Sequence, residues 1–290
     1  MQLRITKGHG TGNDFVLFTD PDAAVDLTDE RVRWLADRHV GVGADGVIRA
    51  ARASSIEGTE STTAVWFMDY RNADGSVSEM CGNGVRVFAK YLLDEQLVAP
   101  DADGAIEIGT RAGTKRVVIG TDETGADAFT VSMGDFTIGD DLALVSAVGL
   151  DVARPALAVD VGNPHLVVTL AEESELSRLQ LAVAPQTDPE PVSGANIEFT
   201  VPGDIDDETG EITMRVHERG VGETLSCGTG AVAAAMAMRH WANDAGKLDT
   251  APNTWLVRVP GGTLVVTADG TSATLSGPAE LVFSADVTLD

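Results

Sequence analysis

The sequence predicts an α+β protein built from two similar lobes that arose by internal duplication. The first reason is a repeated order of motifs. Gly12-Asn13 precedes an apolar run and so does Gly162-Asn163; Cys81-Gly-Asn-Gly-Val and Cys227-Gly-Thr-Gly-Ala each open a helical pattern. Met68 stands 13 residues before Cys81, and Met214 stands 13 before Cys227. The second reason is that short runs rich in β-branched and aromatic residues outnumber helical patterns. A motif order that recurs once over so long a period means two homologous lobes rather than a solenoid.

The strand-like runs begin with Val16-Leu-Phe, Thr63 to Met68, Lys115 to Ile119, Phe129 to Met133, His165 to Leu170 and Ala195 to Val201. They continue with Glu211 to Val216, Trp255 to Val259, Thr263 to Thr267 and Ala273 to Leu275. Turn chemistry bounds them: Gly-Thr-Asp-Glu-Thr-Gly follows Ile119, Pro-Gly-Asp starts at Pro202, Pro-Gly-Gly at Pro260 and Asp-Gly at Asp269. The last two flank Thr263 to Thr267, so the C-terminal part reads as a β-meander.

Three helices are expected. Thr28 reads as an N-cap ahead of Arg31 to Leu35. A second helix runs from about Gly84 to Leu93 with Val85, Phe88 and Leu92 on one face, and a third from about Gly230 to Trp241. The third is apolar nearly all round and belongs in an interior. The Pro-rich stretch Ala184 to Gly194 reads as an exposed loop, and Asp204-Ile-Asp-Asp-Glu as a solvated hairpin tip.

Composition excludes several partner classes. With 45 acidic against 20 basic residues, the chain of 290 residues carries a formal charge of −25. That charge argues against nucleic acid or an anionic membrane, both of which need clustered Lys and Arg. No apolar stretch approaches the roughly 20 residues of a membrane helix, and the N-terminal residues lack the apolar core of a secretory signal. Two cysteines in 290 residues do not form a disulfide framework. A cytoplasmic protein is expected.

The cysteines carry the chemistry. Cys-Gly-X-Gly at a helix start puts the sulfur beside backbone N–H groups that lack helical partners. The positive end of the helix dipole favours a thiolate and can hold a carboxylate, so lowered thiol pKa values are expected. One such site suits a nucleophile. Two, one per lobe, suit a reaction in which a thiolate takes a proton from one face of a carbon while a thiol returns one to the other. This is general acid–base catalysis that inverts a stereocentre, with both helix starts aimed at the carboxylate of the reacting end. No lysine stands in a pyridoxal-binding setting and no nucleotide fingerprint is present, so the expected mechanism uses no cofactor.

Gly8-His-Gly-Thr-Gly-Asn-Asp-Phe15, Met80-Cys-Gly-Asn-Gly-Val-Arg86, Gly162-Asn-Pro-His165 and Glu218-Arg-Gly-Val-Gly-Glu-Thr-Leu-Ser-Cys-Gly-Thr-Gly230 closely resemble the diaminopimelate epimerase family. The match runs in order through nearly the whole chain. The resemblance implies two pseudo-symmetric lobes, each a strongly curved, mostly antiparallel β-sheet or barrel around a central helix. The first would span 1–128 plus 278–290 and carry Cys81, the second 129–277 with Cys227, and the active site would lie in the cleft between them. It implies interconversion of LL- and meso-2,6-diaminopimelate in lysine and peptidoglycan-precursor synthesis, with neither cofactor nor metal, by a homodimer. Cys81 and Cys227 match the catalytic pair, His165 the residue assisting Cys81, and Glu218 the residue assisting Cys227. Asn13, Asn72, Asn163, Asn196, Glu218 and Arg219 fall among the substrate-binding positions. Gly82-Asn83 and Gly228-Thr229 fall where backbone amides receive the α-carboxylate. At Gly46 many relatives have glutamine, so Gly46 is left out of the site.

Taken singly, each of these residues has a plainer reading: a buried cysteine as a small apolar group, His165 as a strand histidine, Glu218-Arg219 as a surface pair, each asparagine as a turn residue. Two rival functions stand beside the first. A proline or hydroxyproline racemase also uses two thiols, but proline has no distal polar end for Arg219 and the asparagines. A redox-sensing or binding protein would use the cysteines to close a reversible disulfide, and would show neither α-proton exchange nor loss of epimerisation in a Cys→Ala variant.

Overall fold

The structure, a computed structural model, describes residues 1–59, 62–122, 124–246 and 251–289. Glu123, in the turn expected after Ile119, and Asp290, at the end of the expected first lobe, lie outside the described residues. In chain order the elements are β1 (Gln2–Gly10), β2 (Asn13–Thr19), α1 (Asp29–Ala36), β3 (Gly46–Arg52), β4 (Trp66–Asn72), α2 (Gly82–Asp94), β5 (Ala105–Thr110), β6 (Gly113–Thr121) and β7 (Asp127–Asp135). Then come β8 (Thr137–Ser146), β9 (Arg154–Asp160), β10 (Pro164–Thr169), α3 (Glu173–Arg178), β11 (Gln186–Asp188), β12 (Asn196–Ile205), β13 (Thr209–Glu218) and β14 (Gly222–Thr224). The chain closes with α4 (Gly228–Asp244), β15 (Thr254–Val259), β16 (Gly262–Asp269), β17 (Ser272–Gly277) and β18 (Glu280–Thr288).

The chain divides into two compact units, Met1–Val131 with Gly277–Asp290, and Ser132–Ser276. The first break falls inside β7, because that strand completes the meander of the first unit before continuing into the second; the sequence reading set it at residue 128.

Within the first unit β1 pairs antiparallel with β2 and β18, β2 runs parallel to β3, and β3 antiparallel to β4. β4 meets β5 in parallel at Phe67 and Gly109, and β5, β6 and β7 continue as an antiparallel meander. The second unit repeats the order. β8 and β9 pair antiparallel, as do β9 and β10; β10 is parallel to β12, β12 antiparallel to β13, β13 parallel to β15, and β15 to β17 form a meander. Both sheets are mostly antiparallel.

Each sheet packs on one long helix. In the first unit α2 touches β1 to β5 and β18; in the second, α4 touches β9, β10, β12, β13, β15 and β16. From Ala231 to Met238 every residue of α4 is buried, and alanine lets strands approach from several sides while favouring the helix. Val85, Phe88 and Leu92 of α2 are buried as expected, and so are Val87, Ala89 and Tyr91. Thr28 caps α1, its hydroxyl accepting from Arg31 N at 3.3 Å.

Some details depart from the sequence reading. The strand expected from Thr63 begins at Trp66. The Pro-rich stretch is not all loop: β11 pairs antiparallel with β8. The strands β1, β3, β5, β8 and β9 and the short helix α3 carry no pattern that the reading used. No helix among the described residues is long and apolar enough to cross a membrane.

Candidate active site

Cys81 occupies the N-cap of α2 with extended backbone, φ −138° and ψ 122°. Its Sγ accepts from Gly84 N at 3.4 Å and lies 3.6 Å from Asn13 Oδ1. Asn13, at the start of β2, donates through Nδ2 to Asp45 Oδ2 at 2.7 Å, and its Oδ1 also accepts from Asn83 Nδ2 at 3.2 Å. The structure thus places Asn13, Cys81 and Asn83 side by side, together with Asp45, which was not read from the sequence. The Arg38 guanidinium holds that carboxylate and Asp14 at once, at 2.7 Å and at 2.8–2.9 Å. Burial pushes the Asp14 carboxyl up, but the hydrogen bonds and charges of Arg38 and Lys7 outweigh it and hold Asp14 well below the usual range.

Arg86 was also missed. It is fully buried one turn into α2, donating to Gly82 O at 3.2 Å and through Nη2 to Asn83 Oδ1 at 2.9 Å and Thr11 Oγ1 at 3.4 Å. Burial lowers its pKa to about 10, and attraction to Cys81 partly offsets that. The guanidinium is thus still charged at neutral pH, a buried cation on the side of a Cys81 thiolate. The Asn83 side chain is engaged by Asn13 and Arg86.

Asn72 ends β4, its amide donating to Ser76 Oγ at 3.0 Å. It pairs with Gly46, and Gly46 pairs with Phe15, so Asn72 and Asn13 sit at one end of the sheet. A β-carbon on Gly46 would lie 2.5 Å from Tyr70 Cε2 and 2.7 Å from Arg71 O. The Tyr70 ring, packed edge-on against Phe15, fills the space a longer side chain would need.

In the second unit Cys227 repeats the arrangement at the N-cap of α4, φ −118° and ψ 119°, with Sγ accepting from Gly230 N at 3.4 Å and lying 3.5 Å from Thr229 Oγ1. Both cysteines are free thiols. The expectation of a lowered pKa fails at Cys227. Burial first, then the charges of Glu218 and Glu198, push this thiol well above its usual value, against smaller contributions from Thr229 and the Gly230 amide. A helix dipole gives roughly 0.3–1 kcal/mol, whereas burial shifts a pKa by up to about 3–5 units, so the carboxylates and the dry setting win.

Glu218 ends β13, and Thr224 of the adjoining β14 donates its hydroxyl to Glu218 Oε1. The next residue, Arg219, is exposed and tethered: its N donates to Asn196 Oδ1 at 2.9 Å and its Nη1 to Ser193 O at 2.6 Å. His165 lies on β10 beside Asn196 of β12. It is buried, with Nδ1 2.8 Å from Glu198 Oε1 and Nε2 3.0 Å from Asn163 Oδ1. Asn163, His165, Asn196, Glu218, Arg219 and Cys227 all belong to the second unit; Glu198, which joins His165 to the surroundings of Cys227, was not read from the sequence. Among the described residues no group of three His, Cys, Asp or Glu is placed to hold a metal ion.

A duplicated sheet, each half packed on one long helix, defines an α+β fold class shared with solved epimerase and PhzF-family structures. A Bacillus anthracis phenazine biosynthesis protein of the PhzF family superposes with a TM-score of 0.70 at 16% identity over 100% of both chains. A hydroxyproline epimerase from Agrobacterium vitis with bound trans-4-hydroxy-L-proline gives 0.64 at 16% identity, covering 100% of this chain and 93% of that one. At that identity the likeness is one of fold. Sequence narrows it: the family model described as diaminopimelate epimerase matches residues 5–138 and 157–282. A diaminopimelate epimerase of Rhodococcus opacus is 44% identical over 98% of this chain and 97% of the relative, and one of Thermobifida fusca 44% over 99% and 98%. The chain belongs to the diaminopimelate epimerase family, a family of isomerases.

Proposed function

We propose that this protein interconverts LL- and meso-2,6-diaminopimelate, without cofactor or metal, by passing the α-proton between two thiols. Cys81 and Cys227 act on opposite faces of the α-carbon, one as base and the other as acid, and exchange roles in the reverse direction. The observation that carries this reading is the matched pair of caps: each sulfur stands at the start of its unit's long helix, 3.4 Å from the amide three residues on. The amides of Gly82-Asn83 and Gly228-Thr229 receive the α-carboxylate there, where negative charge develops as the proton leaves. His165 assists Cys81 and Glu218 assists Cys227. Asn13, Asn72, Asn163, Asn196 and Arg219 hold the distal amino-acid end.

Two differences between the sites support unequal resting states. Buried Arg86 favours a Cys81 thiolate, whereas burial and two carboxylates favour a Cys227 thiol. One thiolate and one thiol at rest give the pair a base and an acid for one direction of the reaction. A cytoplasmic homodimer serving lysine and peptidoglycan-precursor synthesis completes the reading. The test is an assay of the purified protein on LL- and meso-diaminopimelate and on L-proline. Turnover of both diaminopimelate isomers, none of proline, and loss of turnover in Cys81→Ala and Cys227→Ala are expected; an active double variant, or proline as the preferred substrate, would refute it.

A further inference from the structure

Strand β12 carries a carboxyl group that the roles above leave unused. Residues 196 to 201 are all buried, since both faces of the strand are covered. Ile197, Phe199 and Val201 join the apolar cluster that includes Leu176 of α3, and the Thr200 hydroxyl, on the other face, donates to Val168 O at 3.1 Å and lies 3.9 Å from Met238 Sδ of α4. Glu198 alternates with them onto the α4 face. Its Oε1 lies 2.8 Å from His165 Nδ1. The same oxygen is 2.6 Å from the point where a β-carbon on Gly230 would stand, and that point is 3.3 Å from Cys227 Sγ. Its Oε2 is buried and has no hydrogen-bond partner among the described residues. Burying a carboxylate with half of its acceptor capacity unused is costly, and such exceptions call for a reason other than stability.

We propose that Glu198 is a positioning residue that fixes the His165 ring through Nδ1 and holds Cys227 in its protonated, acid-ready state. The role in turnover rests on the two-thiol reading above; the contacts themselves do not. Among the described residues, Cys227 is faced by Glu198 from β12, Glu218 from β13, and the Thr229 hydroxyl and Gly230 amide of α4, while His165 from β10 faces Glu198. A negative charge beside a thiol disfavours a second one. A carboxylate on Nδ1 also sets which ring nitrogen is left to face Asn163. Glu218 can then act on Cys227 directly while Glu198 keeps it from ionising early.

Glu198→Gln in the full chain removes the charge while keeping the shape. Mapped by peptide mass spectrometry, iodoacetamide labelling of Cys227 should move to lower pH, with roughly tenfold faster labelling at pH 8 for a one-unit shift, and labelling of Cys81 should not change. Turnover should fall through kcat more than through KM. Glu198→Asp keeps the charge, so Cys227 should label at the parent rate, but the shorter arm should abolish the downfield His165 Nδ1 proton resonance expected in the parent. An unchanged Cys227 pH profile in folded Glu198→Gln overturns the proposal, as does absence of that resonance in the parent. If Glu198→Gln does not fold, the resonance in the parent and the labelling of Glu198→Asp decide: labelling as fast as a model thiol overturns it. A protein inactive on diaminopimelate would remove the proposed substrate and leave the labelling result standing.

Discussion

Glu198 Oε1 stands 2.6 Å from the position a β-carbon on Gly230 would take, so the last glycine of Cys-Gly-Thr-Gly is the space that this carboxylate occupies. The corresponding Gly84 has more room, with Cys81 Cβ at 3.3 Å and Ile48 Cδ1 and Phe15 Cζ at 3.5 Å. Alanine is favoured over glycine inside a helix by up to about 1 kcal/mol. At position 230 that gain is outweighed by overpacking, typically about 1–3 kcal/mol. Thermal melts should therefore show Gly230→Ala clearly destabilised and Gly84→Ala close to the parent.

Arg86 and Cys81 make a second pair. Removing the buried guanidinium strips Gly82 O, Asn83 Oδ1 and Thr11 Oγ1 of a donor and should cost roughly 1–3 kcal/mol for each acceptor left without a replacement. Arg86→Met should also slow iodoacetamide labelling of Cys81 while leaving that of Cys227 alone. In the parent at pH 7.5, Cys81, which is partly exposed, should label well before the buried Cys227. Simultaneous labelling would contradict the assigned asymmetry.

Acid stability follows from two carboxylates of the first unit. Burial raises the Asp69 carboxyl, but a hydrogen bond from Arg111 and the charges of Arg49, Arg111 and Arg71 bring it below its ordinary value. Asp14 is held low by Arg38 and Lys7. A carboxyl whose native pKa lies below its unfolded value of 3.8 contributes stability that is whole above that value and is lost as pH falls through the native one. Urea unfolding should give steady midpoints between pH 7 and 5 and a steep fall below about pH 4. Asp69→Asn takes from buried Arg49 its nearer carboxylate, at 2.6 Å, and leaves it Asp20 at 3.5 Å, so it should lose stability at pH 7 by less than the roughly 3–5 kcal/mol of a fully unpaired buried charge. It should also have a shallower acid slope.

The features legible in the sequence were those that repeat or punctuate. Cys-Gly-X-Gly ahead of an apolar helix marked both caps, and the meander around Thr263 to Thr267 was bounded by its turns. Glu198 was not legible. One glutamate in Asn-Ile-Glu-Phe-Thr reads as the solvent-facing position of an alternating strand, and only the cover of α4 on that face turns it inward. Arg49 in β3 and Arg86 in α2 hid for the same reason, since a charged residue in an apolar run signals exposure until its partners are known. Asp45 binds Asn13 across 32 positions of sequence, a distance that no local pattern spans. The lowered pKa expected at Cys227 failed because a helix start is visible in sequence and the carboxylates facing it are not.

Transfer of a proton between two distinct thiols is tested most directly by mass spectrometry of an early reaction in heavy water. Starting from LL-diaminopimelate, the meso product formed in the first few per cent of conversion should carry one solvent deuterium while the remaining LL isomer carries none, because the base that takes the proton is not the acid that returns one. Early deuterium in unconverted LL-diaminopimelate, at a rate matching product formation, would mean a single base serving both faces and would contradict the account.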